Sequence, residues 1–85
     1  MVGSRFVRVE CGRWGAVVPV PDAMMVGDDR PKLLLTVARW MLRHGMSRNR
    51  ALCVVHVVGR ECCEPMAEWA EVVSAVSEAY GKEGE

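Results

Sequence analysis

The sequence predicts a mainly α fold: a three-helix bundle (about residues 31–44, 48–61 and 66–80) carrying an N-terminal β-hairpin (about 5–20). Three observations predict it. Two β-favouring runs surround a glycine turn; two later stretches have helical apolar spacing with recognisable starts and stops; a valine-rich segment between them sorts its polar residues better as a helix than as a strand.

The hairpin comes first. Residues 5–20, "RFVRVECGRWGAVVPV", place the turn Cys11-Gly12-Arg13-Trp14-Gly15 between the two runs. Pro19 and Pro21 stop the second strand or hold it at an edge, because proline cannot donate to a ladder. Pro21 to Asp29 reads as a connecting loop, with Met24-Met25 as a loop anchor or a soft contact surface. A lone hairpin is marginal in water, so this one must pack on something.

The first helix begins near Pro31, with Asp28 or Asp29 in place to cap it, and Gly45 ends it. Lys32, Thr36, Arg39 and Arg43 are spaced by four, three and four and form one polar stripe. Leu33, Leu34, Val37, Ala38, Trp40 and Met41 cover the broad remainder. The last helix gathers Trp69, Val72, Val73, Val76 and Tyr80 on one face and Glu68, Glu71, Ser74 and Glu78 on the other, with Gly81 as a stop.

The middle segment has two readings. As a strand, Ala51 to Arg60 is nearly apolar on both faces and needs cover on both sides, which a short chain can barely provide. As a helix capped by Ser47, it puts Ala51, Leu52, Val54, Val55, Val58 and Cys62 on one face, and Asn49, Cys53, His56 and Arg60 on another. The helix separates polar from apolar better, although valine is a mediocre helix former.

Composition bounds what the chain does. Eighty-five residues make one small domain, which buries only about 60% of its unfolded surface. The N-terminus has no signal-peptide core, and no apolar run approaches the roughly 20 residues that span a bilayer, so a cytoplasmic location without membrane contact is expected. Cys11, Cys53, Cys62 and Cys63 are read as reduced core thiols, since nothing indicates secretion. Their spacing suits no zinc site, and no metal or other cofactor is expected. Net charge is zero but unevenly spread: residues 30–60 carry Arg30, Lys32, Arg39, Arg43, Arg48, Arg50 and Arg60 without an acid, and the acids concentrate after residue 60. A basic surface for an anionic partner, with an acidic counterweight elsewhere, is the reading this supports.

No catalytic set is apparent. Asp22, Asp28 and Asp29 read as turn and cap residues, and there is no P-loop or Ser/His/Asp set. The basic side chains Lys32, Arg39, Arg43, Arg48, Arg50 and Arg60 are the candidate nucleic-acid-binding residues. They would contact single-stranded DNA or nucleotide phosphates. Trp14, beside Arg13 at the hairpin tip, is the aromatic expected to stack on a base, whereas Trp40 and Trp69 are assigned to the core. His56 reads as a half-buried, hydrogen-bonded histidine.

The order Gly27-to-Arg30 entry, leucine-rich helix, Gly45-Met46-Ser47 turn, Ala51-Leu52, Cys63-Glu64-Pro65 junction, Val72-Val73 and terminal Tyr80 resembles the primase C-terminal helical domain of phage and plasmid primase-polymerases. The likeness covers roughly residues 27–81. Pro31 and Met66 depart from the family's usual Asn and second Pro, and Gly59 replaces a helix-favouring polar residue, where a bend or fray is expected. The resemblance implies a helix for the middle segment and a division into a hairpin and loop (1–26), a three-helix unit (27–81) and an acidic tail (82–85). It further implies a non-catalytic accessory of DNA replication that helps a primase-polymerase, or works beside a helicase, by gripping template or first nucleotide. Two other readings stand beside it. One is a helix-turn-helix regulator using Arg48, Asn49 and Arg50 in a major groove. The other is a phage-encoded protein-binding inhibitor or adaptor using the hairpin edge, the acidic third helix and exposed methionines.

Overall fold

The computed structural model describes residues 4–84, with side chains described over 5–81. Two strands, β1 (Ser4–Cys11) and β2 (Trp14–Pro21), precede three helices, α1 (Asp29–Arg43), α2 (Arg48–Cys62) and α3 (Trp69–Gly84). The valine-rich segment is therefore helical. The two strands pair antiparallel with Cys11 opposite Trp14 and Val9 opposite Ala16, and Gly12, at φ 64°, supplies the left-handed turn residue. Alternation sends Val9, Val18 and Val20 into the core and leaves Phe6 (68% exposed) and Val17 (56%) on the outer face.

The helices run up, down and up. Arg30 at the start of α1 meets Glu71 at the start of α3, whereas Arg48 at the start of α2 meets Ser77 halfway along α3. Leu34, Val37, Ala38 and Met41 of α1, Val54, Val55 and Val58 of α2, and Val72 and Val76 of α3 are buried together with the inner hairpin valines. The hairpin covers the side of the bundle formed by α1 and α2, so the strand pair gains the packing it needs.

The helix ends follow from local chemistry. Ser47 caps α2, its Oγ accepting from the Arg50 N–H at 3.3 Å. α1 closes in a Schellman arrangement: Met46 N–H donates to the Met41 carbonyl and Gly45 N–H to that of Leu42, with Gly45 at φ 76°. Asp28 occupies the N-cap position of α1, but its side chain makes no capping hydrogen bond. The Tyr80 hydroxyl donates to the Met46 carbonyl at 2.8 Å and fastens α3 to the α1–α2 turn.

Four expectations are corrected. α3 starts at Trp69, not Met66: Ala67 N–H donates to the Gly59 carbonyl, so 66–68 form a connector. The helix then continues to Gly84 and takes in residues 82–84 of the expected tail; residues 1–3 and 85 lie outside the described residues. Cys11 and Cys53 are not reduced thiols but a disulfide joining the hairpin to α2; Cys62 and Cys63 are free and buried. Gly59 does not fray α2, which continues through it to Cys62. It is the notch into which Ala67 packs, a Cβ there falling 2.8 Å from Ala67 Cβ and 3.1 Å from Leu34 Cδ2.

The connectors also pair with each other. Met25 N–H donates to the Cys62 carbonyl, and Glu64 N–H to that of Met25, forming a short parallel bridge of Met25 with Cys63. Met25 thus anchors its loop, and Met24 and Val26 remain exposed.

Candidate nucleic-acid interface

Chain direction decides where the predicted basic residues go. The end of α1, the start of α2 and the last turns of α3 share one end of the bundle, and the hairpin tip joins them there through Trp14. Arg39, Arg43 and Arg50 lie at or near this end, with Arg13 at the exposed tip. Lys32 lies about 16 Å from Arg43 along α1, and Arg60 about 18 Å from Arg48 along α2, so both belong to the other half of the molecule. The six candidates therefore do not form one cluster.

Their environments differ. Lys32, Arg39 and Arg43 are exposed and, among the described residues, their side chains form no hydrogen bond or ion pair. Arg48 is half-buried and donates to Ser77 Oγ at 2.8 Å. Arg50 lies over the Trp14 ring, 5.1 Å from its centre. Arg60 pairs with its neighbour Glu61 at 3.4 Å.

Trp14 is half-buried and has a recess of about 200 Å³ beside it, lined by Arg8, Glu10, Gly12, Arg13 and Gly15. Glu10 closes on Arg8 at 3.0 Å, which leaves Arg13 as the tip's uncompensated cation. A ring already backed by a guanidinium presents a flat, electron-rich surface beside positive charge. That combination suits a base and its phosphate.

Carboxylates outnumber cations at the opposite end. Asp22, Asp28, Asp29, Glu61, Glu64 and Glu68 are exposed there, around the starts of α1 and α3 and the end of α2. Arg30, 16% exposed in its side chain, is neutralised by Glu71 at 2.8 Å, and the same Glu71 oxygen accepts the Glu68 N–H at the start of α3. The uneven charge of the sequence thus becomes an excess of carboxylates at this end, although Lys32 and Arg60 also lie in this half.

Sequence reasoning missed one aromatic. Trp69, assigned to the core, is 53% exposed at the first position of α3, where its ring meets that of His56 edge-on at 5.4 Å. A helical wheel places it beside Val72 and Val76, but those valines point to α1 and α2 from deeper turns. The exposed connector before it is the signal that would have found it. His56 is half-buried, with Trp69 in place of the hydrogen-bond partner expected for it. Trp40 is half-buried against His44.

Burial raises the thiol pKa of both Cys62 and Cys63, against nearby Arg5 and Arg30 respectively, which favour the thiolate. These cysteines are therefore poor nucleophiles. Among the described residues no His, Cys, Asp and Glu gather in a set able to hold a metal, and no helix is long and apolar enough to cross a membrane. Compared with known protein families, with curated proteins and with solved structures, the chain finds no match in any of the three.

Proposed function

We propose that the chain is a non-catalytic accessory of phage or plasmid DNA replication that holds single-stranded DNA, or the phosphates of an initiating nucleotide, at its basic end. Its resemblance to the primase C-terminal helical domain suggests a primase-polymerase or helicase as the protein it works beside. The observation that carries the reading is the gathering of Arg13, Arg39, Arg43 and Arg50 at one end of the bundle, opposite the exposed Asp28, Asp29, Glu61, Glu64 and Glu68. Exposed cations of this kind bind phosphates largely by counterion release, with little dependence on sequence. Trp14 then offers a stacking surface next to them. Lys32 and Arg60, at the far end, would contribute at most to long-range attraction.

The helix-turn-helix reading has less support. A recognition helix needs the side chains of its first turn free to enter a groove. Here Arg48 is turned to Ser77 on α3 and Arg50 to Trp14 on the hairpin, on opposite sides of α2.

A cytoplasmic location belongs to the same proposal. The Cys11–Cys53 bond counts against it, because disulfides are uncommon in reducing compartments. Trapping free thiols in protein taken from its native host decides the matter: four alkylated cysteines on denaturation support the cytoplasm, two oppose it.

The function is tested by fluorescence anisotropy with a labelled single-stranded oligonucleotide and its duplex at two salt concentrations. Salt-sensitive binding that prefers the single strand is expected. Absence of binding at low salt overturns the proposal, and preference for one duplex sequence favours a regulator instead.

A further inference from the structure

The geometry points to a second interaction surface, at the acidic end, for a cationic and apolar-anchored segment of a protein partner. It is independent of the nucleic-acid reading and uses different residues. Trp69 (53% exposed) and Met66 (60%) stand on the connector and first turn of α3, and Met24 and Val26 are exposed on the neighbouring loop at the same end. Tryptophan and methionine are the residue types that carry energy at protein interfaces, and both are costly to leave in water.

The rigidity of this surface comes from named contacts. Ala67, between the two exposed residues, is buried in the Gly59 notch and tied by its N–H to the Gly59 carbonyl at 3.0 Å. Glu68 N–H is held by Glu71, which is itself fixed by Arg30. Met66 and Trp69 are therefore presented by a pinned connector, so little conformational freedom remains to be lost on binding.

Charge selects the occupant. Glu64 and Glu68 flank the two apolar side chains, and at the end of α2 Arg60 and Glu61 offset each other. A nucleic-acid strand would be repelled here, although an exposed tryptophan elsewhere would suit stacking. A lysine or arginine side chain is attracted twice, by the carboxylates and by the electron-rich indole. The chain shows this chemistry internally, with Arg50 over Trp14. A partner presenting Lys or Arg beside an aliphatic anchor for Met66 fits both features.

The test uses the full chain, 15N-labelled, titrated with a synthetic twelve-residue Leu/Lys peptide and with the same peptide carrying Glu for Lys. The Leu/Lys peptide should shift the Trp69 indole N–H and the amides of Glu64 and 66–69, leaving those of 43–50 and the Trp14 indole in place; the Glu peptide should shift none of them. Trp69→Ala should weaken binding by about tenfold or more, Met66→Ser several-fold, and Arg43→Ala not at all. Both altered side chains are exposed, so the fold should survive either change. Equal binding of the two peptides overturns the inference, as do unchanged affinity in Trp69→Ala, shifts confined to other residues, or no binding. Movement of the Trp69 signals by single-stranded DNA also overturns it, whereas DNA shifts confined to 39–50 and Trp14 leave both proposals standing.

Discussion

The Arg50 guanidinium lies 5.1 Å from the centre of the Trp14 ring, joining the first turn of α2 to the hairpin tip through a cation–π contact. The contact draws one candidate phosphate-binding side chain against the candidate stacking ring, which is why the basic end contains an aromatic. A double-mutant cycle on Trp14→Ala and Arg50→Ala, followed by urea denaturation, should give a coupling energy of about 0.5–1 kcal/mol. Additive effects would show that the two side chains are only neighbours.

Cys11 and Cys53, 42 residues apart in sequence, bind the same tip covalently. Closing a loop of that length restricts the unfolded chain and stabilises a domain by about 2–4 kcal/mol. Cys53→Ser, or reduction with dithiothreitol, should lower the urea midpoint accordingly and loosen the hairpin first. An unchanged midpoint under reducing conditions would mean that the bond is not formed in solution.

The bond also marks a boundary of what a sequence can convey. Caps and periodicity are local, so the three helices and the hairpin could be read from Ser47, Gly45, the Leu33-to-Met41 pattern and the Gly12 turn. Long-range contacts are not local. Cys53 reads as one member of a polar stripe on α2, and only the docking of the hairpin brings Cys11 to it. The basic candidates were identifiable by type, but their division between two ends depends on helix direction, which spacing alone does not give. Trp69 had the right period for a core residue and the wrong height along its helix.

Gly59 reads as a defect in α2 until Ala67 is placed beside it. Alanine would favour the helix by about 1 kcal/mol, yet its Cβ would meet Ala67 Cβ at 2.8 Å and Leu34 Cδ2 at 3.1 Å. Ala67 Cβ is fixed to its backbone and Leu34 is fully buried, so overpacking should win and Gly59→Ala should destabilise by about 1–3 kcal/mol net. Ala67→Gly in the same chain should restore part of the loss, as measured by thermal unfolding of the single and double variants.

Burial raises the pKa of Cys62 and Cys63 above their ordinary 9.0 and that of Tyr80 above 10.0. Each group is neutral in its protonated form, and the folded state holds that proton more tightly than the unfolded chain. Their contribution to stability is thus complete below the unfolded values and declines as pH rises from about 9 through the folded ones. The melting temperature should fall between pH 8 and pH 10.5, and Cys62→Ala/Cys63→Ala with Tyr80→Phe should flatten that fall. A profile identical in the variant and the parent would assign the alkaline loss to other groups.

The phosphate-binding role of the basic end is tested most directly by the salt dependence of single-stranded DNA binding in the parent chain and in Arg39→Ala/Arg43→Ala. Each lost phosphate contact on a single strand reduces the slope of log affinity against log salt by about 0.7, so the double change should flatten it by about 1.4. Affinity at low salt should drop with it, while the fold, reported by helical circular dichroism, stays the same. Equal slopes and equal affinities in the two proteins would contradict the role assigned to these arginines.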